Sequence, residues 1–173
     1  IAPTLPVASG GTGLTSGFVN GGSLTEADAW RVSSDTSTEG DITASWERDD
    51  HALFGKIGTG MTESSGIFTF PSTGIWYITF TGCYVCSTGT EYATQYIMGT
   101  GDDASYTNMT QAHDRIEDNT KQTVAPCSNL IDVTSTSLVK VKFYWSGVGS
   151  NLTLKGASGE NRTWAQFLRL GDT

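Results

Sequence analysis

Apolar side chains along this chain come in short runs that alternate with polar ones, and they seldom return at the three- and four-residue spacing of an amphipathic helix. The stretch GIFTFPSTGIWYITF, from Gly66 to Phe80, shows the pattern at its densest. GIFTF and IWYITF are rich in β-branched and aromatic residues that suit a pleated, half-buried surface. Between them PSTG is a turn-forming cluster, in which Pro71 fixes φ and Gly74 tolerates φ > 0. Because side chains alternate along a strand, Trp76, Ile78 and Phe80 share one face, expected to be core, while Tyr77, Thr79 and Thr81 share the other.

The same reading predicts strands over residues 29–32, 42–46, 53–57, 66–70, 75–85, 92–98, 122–125, 138–145, 152–155 and 164–170. About ten short strands separated by turn signals predict an all-β sandwich or barrel. Residues 1–22 carry Gly, Pro, Ser and Thr without periodic apolar positions, and read as an extended arm before a head domain over 23–173. Residues 99–121 form the longest segment without a strand pattern. They are polar and acidic, and read either as a recognition loop or as a solvated connection containing one irregular strand.

Composition narrows the function classes. A length of 173 residues fits one domain with a substantial core, and the 21 glycines agree with a strand-and-turn chain. Eighteen acidic against ten basic residues give a net charge of −8, which repels a phosphate backbone and argues against nucleic acid as a partner. No run approaches the roughly 20 apolar residues of a membrane-crossing helix, so membrane insertion is not expected. The chain opens on Ile1, as a processed product or part of a longer protein would. Cys83, Cys86 and Cys127 are too few for a disulfide scaffold. Cys83-Tyr-Val-Cys86 has the spacing of a redox or metal pair but lies in or just after a predicted strand, so buried thiols are expected, with a Cys86–Cys127 bridge left open.

Candidate chemistry is sparse. Neither His51 nor His113 lies in a nucleophile elbow or a zinc-protease spacing, and no phosphate loop occurs. Asp49, Asp50, Asp102, Asp103, Asp114, Glu117 and Asp118 could supply a carboxylate pair for glycan hydrolysis, but read better as solvated loop charges. The acidic groups within 99–121 also make calcium a possible ligand, without an EF-hand spacing; no other cofactor is implied. In the same segment Tyr106 could stack on a sugar, His113 and Arg115 could grip it, and Asp102, Asp103 and Asp114 could accept its hydroxyls.

The opening stretch also resembles the globular head of the complement first component's q subunit, a branch of the tumour necrosis factor superfamily. Ser65-Gly66 stands where that family has Thr-Gly, followed at family spacing by Phe68, Pro71, Gly74, Trp76, Ile78 and Phe80. Near the end, TWAQFLRL places Trp164, Phe167 and Leu168 where the family closes on an aromatic and then Phe-Leu. Met61, Trp76 and Ile78 depart from the family's residues, and the likeness covers roughly residues 54–170. It implies a jelly-roll sandwich that assembles as a homotrimer by burying the aromatic-rich face of one sheet. A second stretch, LPVASGGTGLTSG in the arm, resembles the Gly-Gly-Thr-Gly segment of bacteriophage fibre and appendage proteins. Together the two imply a non-enzymatic virion appendage. Its arm would contact other virion proteins, and its trimeric head would recognise a host-surface glycan or protein. The alternatives are capsid decoration or trimerisation, a secreted complement-head-like binding protein, and a polysaccharide-degrading enzyme.

Overall fold

The computed structural model describes residues 24–87, 91–118, 121–148 and 151–173, with Glu91 described by its backbone alone. The arm expected over 1–22 lies outside the described residues. Among the described residues the chain is all strand and turn, and no helix is long and apolar enough to cross a membrane.

Twelve strands follow in order: β1 Ala27–Val32, β2 Gly40–Asp41, β3 Trp46–Arg48, β4 Thr62–Ser64, β5 Ile67–Thr69, β6 Gly74–Cys86, β7 Glu91–Thr100, β8 Thr107–Ile116, β9 Gln122–Val133, β10 Lys140–Val148, β11 Leu152–Leu154 and β12 Trp164–Gly171. They form two antiparallel sheets of six strands. In the first, here sheet I, β9 pairs with one edge of β6, β12 and β11 pair with its other edge, and β1 and β3 follow β12. In sheet II the order is β4-β5-β10-β7-β8, with β2 also on β10. This is a jelly-roll sandwich.

The alternation read from the sequence locates the core. Trp76, Ile78 and Phe80 of β6 are fully buried, and so are Val141, Phe143 and Trp145 of β10 on the facing sheet. Aromatic rings fill the space between. Phe80 meets Phe143 at 4.6 Å, Phe68 meets Phe167 at 5.2 Å, and Phe70 meets Trp76 at 5.1 Å between centroids. Each such side chain contributes about 1.5–3 kcal/mol by leaving water. Ahead of β6, Gly74 has φ +131°, and a Cβ there would sit 2.3 Å from the Gly171 carbonyl oxygen, so glycine alone fits where the last strand closes on β6.

Five strand expectations change. Residues 53–57 form no strand: Ile57 makes an isolated bridge to Ala27, and Leu53 is 90% exposed. Residues 42–46 divide, with strand on either side and a turn through Ser45 at φ 65°. The short strand β4 has no alternating apolar signal. Residues 99–121, read as a recognition loop or as a connection containing one irregular strand, contain the ten-residue strand β8, whose pairing with β7 shifts register once. As the edge of sheet II, TNMTQAHDRI buries only Ile116 fully, so its sequence lacks an apolar alternation. Strand β9 runs past Pro126 to Val133, because on the edge of sheet I a proline's missing N–H leaves no neighbouring strand unpaired.

All three cysteines are buried, and the Cys86–Cys127 bridge is not formed. Burial raises the thiol of Cys127 to about 11, against the opposing hydrogen bond from Gln95. Burial likewise raises Cys83. Neither supplies a ready thiolate nucleophile at neutral pH.

Candidate functional site

Two outward faces remain once the core is assigned. On sheet I the cross-strand register sets Leu130 of β9, Tyr77 of β6, Leu168 of β12 and Ala27 of β1 side by side, and Ile57 continues the row through its bridge to Ala27. Leu130 is 57% exposed and Ile57 45%, with Tyr77 and Leu168 half-buried. An apolar row across the full width of a solvent-facing sheet lacks the polar-out alternation normal for an antiparallel sheet.

Next on this face comes the largely polar row Ser128–Thr79–Gln166–Ala29, and the row after it, Pro126–Thr81–Trp164–Arg31–Glu47, ends in a charged knot. Arg31 has a side chain only 1% exposed and reaches Glu47 at 3.4 Å, Asp49 at 3.1 Å and Asp50 at 2.5 Å. Asn161 donates to the other oxygen of Asp49 at 2.7 Å. A second knot forms on Asp28, whose carboxylate accepts from Trp30 Nε1 at 2.9 Å, the Met61 backbone N–H at 2.8 Å and Arg48 Nε at 3.1 Å. Asp49 is therefore a buried structural anion, not a solvated loop charge. The sequence signal was faint: Asp28 and Arg31 interrupt the apolar run ADAWRV, where a buried ion requires a partner.

The residues expected to form a recognition loop do not lie together. Asp102, Asp103 and Tyr106 occupy the turn between β7 and β8, whereas His113, Asp114 and Arg115 lie at the far end of β8, on the order of 20 Å away along the strand. Asp102 Oδ1 accepts from Ser105 N–H at 2.7 Å, Thr100 Oγ1 at 2.7 Å and Ala104 N–H at 2.9 Å, and these bonds hold its carboxyl well below the usual range. Asp103, at φ 59°, pairs with Lys140 at 2.5 Å. Asp114 accepts from the Thr123 hydroxyl and the Arg115 N–H, which lower its carboxyl too. Among the described residues no group of three or more His, Cys, Asp and Glu side chains is placed to hold a metal ion.

What the structure does bring together is the outward face of sheet II. Tyr96 of β7 lies between Gln111 of β8 and Tyr144 of β10, and Tyr144 is paired in turn with Asp41 of β2. The Tyr96 and Tyr144 rings meet edge-to-face at 5.4 Å. In the adjoining rows His113 stands beside Thr94, and Arg115 beside Tyr92, which is 46% exposed. Lys142 bonds to Asp41 at 2.7 Å and holds its ammonium 4.5 Å from the centre of the Tyr106 ring. Burial, then the charges of Asp103 and Asp41, raise the Tyr106 phenol. Asp41 also lines a cleft of about 280 Å³, with Ser34, Thr36, Thr38, Thr43 and Ser45.

Comparison with solved structures places this architecture. The chain superposes on the Eiger TNF of S. frugiperda with a TM-score of 0.66 at 12% identity, covering 87% of this chain and 96% of that one. It superposes on murine APRIL with a TM-score of 0.59 at 11% identity, covering 84% and 98%. At these identities the likeness is one of fold, and the fold is a tumour-necrosis-factor-like jelly roll. No family model and no curated protein sequence matches the chain.

Proposed function

We propose that the chain forms a non-enzymatic, homotrimeric head of a virion appendage, which recognises a glycan or protein on a host surface. The observation that carries the trimer is the row Leu130–Tyr77–Leu168–Ala27–Ile57 on the outward face of sheet I. Covering it removes apolar surface from water at about 25 cal/mol per Å², and a self-association that closes on itself leaves no copy of the row exposed. Residues 1–22 tether the head to other virion proteins, in keeping with the Gly-Gly-Thr-Gly resemblance. The loops and the outward face of sheet II then point away from the threefold axis, free to meet a ligand.

Light scattering on the purified chain tests the assembly. A trimer mass at micromolar concentration is expected, and Leu130→Asp with Leu168→Asp converts it to folded monomer. A folded wild-type monomer under the same conditions refutes the use of this row as an interface. Deleting residues 1–22 should leave the trimer intact and abolish incorporation into particles. A head that assembles but adsorbs to no host cell would leave only the architectural role.

A further inference from the structure

We propose that the outward face of sheet II and the adjoining cleft form one binding site for a neutral glycan chain, a reading that rests on the recognition role proposed above and gives it a location and a ligand class. A cross-strand tyrosine pair is ordinary sheet packing by itself. Its setting is what distinguishes this one. Tyr96 and Tyr144 are half-buried on an outward face, their rings 5.4 Å apart, and the row they begin runs through Asp41 into the cleft.

Each part matches a feature of a sugar. Tyrosine presents a broad apolar ring beside a polar hydroxyl, so it can pack on the apolar face of a pyranose and still be wetted at its tip. The cleft is bordered by the hydroxyl-bearing residues Ser34, Thr36, Thr38, Thr43 and Ser45, short side chains that donate and accept in the way sugar hydroxyls require. Its volume of about 280 Å³ lies just below the range of drug-sized ligand pockets, roughly 300–1,000 Å³, and suits a single sugar ring. Neighbouring strands lie about 4.8 Å apart, so the path from Tyr96 over Tyr144 to Asp41 is about 10 Å long. A short oligosaccharide fits along it, one ring in the cleft and the following rings over the tyrosines.

Charge selects a neutral chain over an acidic one. Asp35 and Asp41 both border the cleft, and each is held in place by a lysine, Asp35 by Lys155 and Asp41 by Lys142. With its cations already engaged and a protein net charge of −8, the cleft repels a uronate or sulfate while its carboxylates accept sugar hydroxyls. Gln111 flanks Tyr96 on the other side and offers both a donor and an acceptor.

Affinity electrophoresis of the full chain through gels containing dextran, starch, galactomannan or xyloglucan tests the proposal, with polygalacturonate as the acidic arm. Retardation by at least one neutral polysaccharide is expected, and Tyr96→Ala with Tyr144→Ala should weaken it at least tenfold while leaving the melting temperature and light-scattering mass unchanged. Asp41→Ala should weaken it independently. Should that last variant lose its fold, Thr43→Val probes the cleft through another of its lining hydroxyls and should reduce retardation. Retardation by none of the four, by polygalacturonate alone, or undiminished in the double tyrosine variant overturns the site. Host-cell adsorption separates the two readings. If the double tyrosine variant adsorbs like wild type, this site fails and the recognition head stands; if wild type itself adsorbs to no host, the wider reading fails.

Discussion

Replacing Gln95 by Leu should destabilise the protein by about 2–4 kcal/mol, although leucine is apolar, of similar size and placed in the core. Gln95 lies on the inward face of β7 with no exposed surface. Its Oε1 accepts from the Gly82 backbone N–H at 2.8 Å and the Tyr84 hydroxyl at 3.0 Å, and its Nε2 donates to the Phe80 carbonyl at 3.0 Å. Nε2 also approaches Cys127 Sγ at 3.5 Å. One side chain thus ties the central strand of sheet I to sheet II across the core. The fit is close enough that a Cβ on Gly82 would lie 2.3 Å from both the Gln95 Oε1 and the Tyr84 hydroxyl oxygen. Leucine removes the shared partner and leaves the other groups where they are. Each buried group stripped of a hydrogen bond costs about 1–3 kcal/mol, with the Tyr84 hydroxyl most affected because that side chain has no access to water. The sum is an upper bound, since the energies are not additive and leucine adds some apolar contact. Urea unfolding at fixed protein concentration reads the effect. With m about 2 kcal/mol/M, the midpoint should fall by about 1–2 M at unchanged m. Gln95→Leu with Tyr84→Phe should recover about 1 kcal/mol, because one orphaned donor disappears. A loss below about 0.5 kcal/mol in the single variant would refute the reasoning and show the bridge to be replaceable by packing.

Three other outcomes follow from the same geometry. Trp76→Ala should cost about 3–5 kcal/mol in denaturant unfolding, whereas Tyr77→Ala, on the outward face, should cost under about 1 kcal/mol and weaken self-association instead; the reverse order would mean an inverted register. Arg31→Met should cost about 3–5 kcal/mol by leaving Asp49 buried without its cation, and Asp49→Asn in that background should restore part of it, both read by thermal unfolding. The depressed carboxyls of Asp102 and Asp114 contribute stability that is complete above the ordinary carboxylate range near pH 4 and is lost as pH falls through their lower folded values. Melting temperature should therefore drop on acidification below about pH 4, and less steeply in Asp102→Asn; an unaltered slope would show that these bonds persist in the unfolded chain.

The sequence by itself determined the fold class and most of the core. Trp76, Ile78, Phe80, Phe143 and Phe167 announce their burial because a half-buried strand must alternate, and that rule is local. Local rules fail at the sheet edges. Strand β8 is an edge strand paired to β7 alone, so most of its residues are polar and it reads as loop; β9 holds a proline that only an edge admits. The candidate site shows the same division. Tyr106, His113 and Arg115 could be picked out as sugar-gripping side chains, but the length of β8 parts the first from the other two. Tyr96, Tyr144 and Asp41 lie as much as about a hundred residues apart in sequence, and only the register of β7, β10 and β2 makes them neighbours. The Arg31 knot likewise needs tertiary contact, because the carboxylates that make its burial tolerable arrive on β3 and the segment just after it, and the amide that holds Asp49 arrives just before β12. Which faces are apolar is a property of residue order; which side chains share a face is decided by how strands far apart in sequence are paired, and only the folded chain supplies that pairing.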